Sequence, residues 1–149
     1  MSADPKPAIP YWHLWTDVDG VSHQTRCLMN EFERASIQPE AAPQWIGTKT
    51  KDGATVFVTV MPVGWVGDWH ENPKPQWIIP LSGQWFVESM DGQRVEMGPG
   101  EISFGEDKNT RAIDGKHGHL SGTLGTEPAV LMIVQFDAPP TIASPCRFR

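Results

Sequence analysis

Residues 64–83 read Gly64-Trp-Val-Gly-Asp-Trp-His70-Glu-Asn72-Pro-Lys-Pro-Gln76-Trp-Ile-Ile-Pro-Leu-Ser-Gly83. A glycine, a histidine, two amides and a second glycine stand at fixed intervals, G-x5-H-x-N-x3-Q-x6-G. In an extended chain alternate side chains share a face. Asp68, His70 and Asn72 therefore point one way if a strand runs through them, and Gln76, Ile78 and Pro80 share a face of the next strand.

Outward from this stretch the same texture continues. Short β-rich runs occupy Thr55–Met61, Gln76–Leu81, Gln84–Glu88, Arg94–Met97, Glu101–Phe104, His119–Leu124 and Ala129–Phe136. Turn signals such as Ser82-Gly83, Asp91-Gly92 and Gly98-Pro99-Gly100 separate them. Tyr11–Trp15 alternates weakly and reads as a first strand, while Arg26–Glu33 fits a strand or a short helix equally. Residues 1–10, with three prolines, are expected as a flexible arm, and Ser36–Pro43 as a loop. Fourteen glycines and fourteen prolines in 149 residues disfavour long helices. One all-β domain spanning 1–149, a sandwich or barrel with its core at about 54–137, is the expectation.

Composition excludes several roles. A net charge of −6 without a lysine or arginine cluster argues against a nucleic-acid partner. The longest apolar run, Ala129–Val134, is far too short to span a bilayer, and the first residues lack the apolar core of a secretory signal. Cys27 and Cys146 form no C-x-x-C pattern and are read as two reduced thiols in a cytoplasmic protein.

The spacing in 64–83 resembles the first motif of the cupins, G-x5-H-x-H-x3,4-E-x6-G, with Asn72 in place of the second histidine and Gln76 in place of the glutamate. Met97-Gly-Pro-Gly100-Glu101-Ile-Ser-Phe104 is similar to the opening of the second cupin motif, G-x5-P-x-G-x2-H-x3-N. Beyond Gly100 the pattern departs. Glu106 stands at the proline position, Lys108 at the glycine and Arg111 at the histidine. His119, which opens an alternating strand with Ser121 and Thr123, is carried over as the second-motif histidine, so Glu106–Gly118 becomes an inserted loop at the barrel mouth. The resemblance covers roughly Thr55–Phe136 and implies a single-domain cupin jelly-roll β-barrel.

The resemblance also implies a site. His70, Gln76 and His119 are expected at the centre of a pocket as catalytic groups, and His70, Asn72, Gln76 and His119 as candidate metal ligands. Imidazole and carboxylate suit iron, manganese, nickel or zinc. The neutral Gln76 and the short Asn72 lower the expected affinity for such a divalent transition metal, and Asn72 before Pro73 also suits a turn. Without metal, two histidines still supply a general acid and base at neutral pH. Asp68 or Glu106 is the candidate to orient one of them, although either also reads as a solvated loop carboxylate. His13, His23 and His117 have no supporting context, and the seven tryptophans read first as packing bulk. The expected function is a small-molecule enzyme of the lyase, isomerase or oxygenase type; the alternative is a non-catalytic ligand-binding or sensing cupin. A homodimer paired through an exposed N-terminal strand is the expected assembly.

Overall fold

The computed structural model describes residues 5–141 and 143–149; the first four residues of the expected arm lie outside them. Eleven strands and no helix make up its regular structure among the described residues. In chain order they are β1 Ile9–Thr16, β2 Ser22–Met29, β3 Glu33–Ala35, β4 Gln44–Ile46, β5 Ala54–Met61 and β6 Gln76–Ser82. There follow β7 Gln84–Ser89, β8 Arg94–Met97, β9 Ser103–Gly105, β10 His119–Leu124 and β11 Ala129–Phe136. Among the described residues no helix is long and apolar enough to cross a membrane.

A six-stranded sheet runs β2-β1-β9-β6-β11-β5, a three-stranded sheet runs β10-β7-β8, and β3 and β4 form an exposed ribbon. The β1–β9 pair is parallel and the other pairs are antiparallel. The apolar core forms where the two larger sheets face each other. Leu14, Ile78, Leu131 and Ile133 from the six-stranded sheet meet Trp85, Val87, Val95 and Met97 from the three-stranded one. Period-two alternation drives this: in β6, Gln76, Ile78 and Pro80 are buried while Trp77 and Ile79 are only partly so.

The amino-terminal quarter does more than the sequence suggests. Ile9 and Pro10 of the expected arm already belong to β1, and β1 sits inside the large sheet with β2 on one side and β9 on the other. A core confined to about 54–137 therefore omits Tyr11 and Leu14, both nearly inaccessible. Both edges of β1 are occupied, so it offers none for pairing across protomers, and the amino-terminal strand at the edge of the sheet is β2. Arg26–Met29 is strand, which settles the helix alternative. Between β1 and β2, burial pushes the Asp17 carboxyl up, but the Val21 and Asp19 amides and His23 outweigh it and hold it below its ordinary value.

The outer face of the large sheet carries a second cluster of Tyr11, Cys27, Phe104 and Phe136, covered by the chain's last residues. There Cys27 and Cys146 are joined in a disulfide across 119 residues, which overturns the reading of two reduced thiols. Distance along the chain was no guide, because β2 and the tail share one face of the sheet. The Tyr11 hydroxyl donates to the Phe148 carbonyl at 2.7 Å and accepts from the Phe148 amide at 2.8 Å. Burial raises the Tyr11 phenol above its ordinary pKa.

Candidate functional site

The chain between β5 and β6 is too rich in proline and glycine for a regular strand, since Pro62, Pro73 and Pro75 have no amide proton to give. It nevertheless lies along the free side of β10. The Thr123 amide donates to the Trp65 carbonyl, the Gly67 amide to Ser121, and His70 and His119 exchange both backbone hydrogen bonds, at 3.0 and 2.9 Å. The two histidines are thus direct cross-strand partners, with ring centroids 4.6 Å apart.

Gly118 permits this approach. Its φ of +69° is one that L side chains rarely adopt, and a Cβ there would collide with the His70 carbonyl. Gly118→Ala is expected to cost about 1–3 kcal/mol. Chemical denaturation measures the loss, and NMR should show the His70–His119 pairing broken. An alanine variant as stable as the parent would show that the two segments do not meet as described.

Both histidines line a cavity of about 280 Å³ between the sheets, walled by Trp65, Ile78, Trp85, Leu131 and Ile133 and edged by Asn72, Gln76 and Ser121. All four expected site residues, His70, Asn72, Gln76 and His119, are therefore brought together. They are not equivalent. His119 is buried, whereas His70 is largely exposed at the rim. A larger concavity of about 640 Å³ lies against the β3–β4 ribbon, but it is lined by solvated lysines and glutamates and holds no histidine. The smaller cavity has the convergent polar groups that mark a binding site.

Behind the cavity runs a hydrogen-bonded chain that begins at Asp107, a fully buried carboxylate. Asp107 Oδ2 lies 2.7 Å from His119 Nδ1. Asp107 Oδ1 accepts from the Asn72 amide at 3.1 Å and from Asn72 Nδ2 at 2.6 Å. A carboxylate only accepts, so the Asn72 NH2 must face Asp107 and its Oδ1 is turned to Gln76 Nε2, at 2.6 Å. Gln76 Oε1 in turn accepts from Gln135 Nε2 at 2.9 Å. Every amide orientation follows from the one carboxylate. Gly105 leaves room for this, because a Cβ on it would overlap Asn72 Nδ2.

The same logic assigns both tautomers. In neutral His119 the proton sits on Nδ1, facing Asp107 Oδ2, and leaves Nε2 with a lone pair. His70 Nδ1 lies 2.7 Å from the Asp68 carbonyl oxygen, which can only accept, so its Nε2 is bare as well. Among the described residues no protein group hydrogen-bonds either Nε2. Two imidazole lone pairs therefore stand free at one cavity.

This arrangement fits a metal poorly. The oxygens of Asn72 and Gln76 each already accept one hydrogen bond and offer only a second lone pair of a neutral amide, so the strong donors among the expected four ligands are the two imidazoles. Among the described residues no group of three or more His, Cys, Asp or Glu side chains is placed to hold an ion. Catalytic zinc sites characteristically use three His, Glu or Cys ligands.

Other carboxylates and histidines fall differently from the sequence reading. Asp68 orients His70, but through its backbone carbonyl. Glu106 is no solvated loop residue; it is buried, 3.0 Å from His13 Nε2 and 2.8 Å from the Arg147 guanidinium, on the far side of the sheet from the cavity. His13, without context in the sequence, is completely buried there and accepts the Cys146 amide on Nδ1. His23 bridges Asp17 and Asp91, and His117 is exposed. The expected mouth loop 106–118 begins with two inaccessible carboxylates. Asn109 and 111–117 are exposed, and Thr110 is tied to Glu71 on both its amide and its hydroxyl. Asp107 and Gln135 are the functional candidates that sequence reasoning missed.

A scan against protein-family models finds no match to this chain, and no curated protein matches it.

Proposed function

We propose that this chain is a small cupin of jelly-roll type whose cavity binds a small organic molecule and moves a proton on it. The motif spacing and the two facing sheets support the fold reading. The observation that carries the function is His119 held at Nδ1 by the buried Asp107 while its Nε2 is free at the cavity. Asp107 is a positioning residue: it fixes the tautomer and favours the imidazolium that forms when Nε2 takes a proton. The His119 imidazolium can hand that same proton to the neighbouring atom, directly or through the bare Nε2 of His70 one cross-strand step away. Abstraction at one centre and delivery at another is the balance of an isomerase or a lyase, and needs no oxidant. Since the donor set does not suit a metal, no step is assigned to one.

The test is solvent exchange. Incubation with a panel of small hydroxyketones in D2O should give deuterium incorporation that falls at least ~100-fold in His119→Ala, the scale of general-base catalysis. Ligand binding without exchange in the parent would support the non-catalytic sensing alternative instead.

A homodimer remains our proposal, with its contact moved to β5. This edge strand carries no charge, and Val56, Phe57, Val58 and Val60 are each more than 40% exposed along it. Soluble proteins protect such edges with lysine, proline or a covering partner. Cytoplasmic residence is the weaker half of the localisation reading, because a disulfide is the habit of oxidising compartments.

A further inference from the structure

We infer that the ligand of the His70–His119 cavity is an uncharged molecule presenting an O–H or N–H donor on a largely apolar body. This rests on the reading of that cavity as the functional site. No Lys, Arg, Asp or Glu is among the residues described as lining it. Of the lysines nearest in sequence to the lining and network residues, Lys74 pairs with Asp137, Lys108 with Glu71, and Lys116 lies over the Trp69 ring. A carboxylate or phosphate ligand would lose its hydration with no cation to replace it, and would approach the buried Asp107 held directly behind His119. An ammonium ligand fares no better. Asp107 is the nearest carboxylate in the network, and its two oxygens already take three hydrogen bonds.

The polar edge then selects among neutral molecules. His119 Nε2 and His70 Nε2 are both acceptors in the neutral imidazoles with no partner in the chain among the described residues, while the amides of Asn72 and Gln76 already have partners on both their NH2 and their oxygen. A ligand that can only accept leaves both lone pairs unpaired, and one that donates satisfies at least one of them. The remaining wall of Trp65, Trp85, Ile78, Leu131 and Ile133 rewards an apolar body. Size is bounded too. A cavity of roughly 150 Å³ accommodates benzene, so about 280 Å³ has room for a substituted ring or a branched chain of comparable bulk.

A four-probe series on the intact, oxidised protein tests this: phenol, its methyl ether anisole, benzoate and benzylammonium, titrated by NMR on the resonances of His119 and Trp85. Phenol should bind at least tenfold more tightly than each of the other three. In His119→Ala the advantage of phenol over anisole should shrink to within about twofold while anisole itself is little changed. Benzoate or benzylammonium matching phenol would overturn the neutral class, and anisole matching phenol would overturn the donor requirement. These outcomes leave the cavity standing as a binding site. If no probe of any charge perturbs the cavity resonances, the functional reading of the cavity fails, and this inference with it. The parent series decides the ligand class by itself, so a poorly folded His119→Ala leaves the result intact.

Discussion

Asp107→Ala should cost this protein about 3–5 kcal/mol of stability, the largest loss expected from a single truncation near the cavity. Three donors converge on the Asp107 carboxylate: the Asn72 amide, Asn72 Nδ2 and His119 Nδ1. Asn72, Asp107 and His119 are all buried, so water cannot readily take the lost acceptor's place. Each stranded donor carries a desolvation cost of about 1–3 kcal/mol. The cost also propagates, because Asn72 without Asp107 has nothing to set its amide orientation and Gln76 then loses its defined partner. Asp107→Asn separates stability from chemistry. Its amide oxygen can still serve Asn72, and its NH2 would face His119 Nδ1, forcing the proton to Nε2. That variant should lose only about 1–2 kcal/mol and should show the opposite His119 tautomer in its 15N shifts. Proton transfer would fall as steeply as in His119→Ala. Denaturant titration gives the first quantity and NMR the second; an unchanged tautomer in Asp107→Asn would remove Asp107 from its positioning role.

What was legible in the sequence follows the range of the forces involved. Each of the seven β-rich runs from Thr55 to Phe136 meets a strand, although in Glu101–Phe104 only Ser103 and Phe104 belong to one, because alternation, β-branched residues and turn glycines are written within a few residues of one another. The spacing around His70 likewise placed Asn72 and Gln76 at one cavity with His119. Local reading fails where a tertiary partner decides. Pro73 and Pro75 prevent a regular strand at His70, yet the backbone of His119 captures it all the same. Glu106 and Asp107 look like the start of a solvated loop. Their burial comes from His13, Arg147, Asn72 and His119, none of which is a neighbour in sequence except through the fold. The one local hint was Gly105 between the apolar Phe104 and those carboxylates, a residue without a side chain at the point where Asn72 packs. Cys27 and Cys146 carried no hint at all, since only the pairing of β2 with β1 brings Cys27 to the face over which the tail lies.

Removing the disulfide, by Cys27→Ser with Cys146→Ser or by reduction, should lower stability by about 5 kcal/mol, the loop-closure entropy for residues 119 apart. The bond closes nearly the whole chain into one loop, so its constraint on the unfolded ensemble is close to the largest a chain this size can have. The folded state loses something as well. Among the described residues the tail's remaining hydrogen-bonded ties are the Ala143 amide to the Thr16 carbonyl, the Cys146 amide to His13, Arg147 to Glu106, and Phe148 to Tyr11. Once the covalent tie is gone these can open without the sheets unfolding, and opening leaves Glu106 buried with His13 but without its guanidinium. Glu106 directly precedes Asp107, so fraying of the tail should also reach His119. Hydrogen exchange in the reduced protein should accelerate first at the Phe148 amide, next around Glu106–Asp107, and last in β6 and β11. Denaturation with and without reductant measures the total. Equal stability of the two forms within about 1 kcal/mol would show that the tail is held by its hydrogen bonds and aromatic packing alone. Thiol counting on protein trapped at lysis decides the compartment: two free thiols would restore the cytoplasmic reading, and none would place the folded chain where disulfides form.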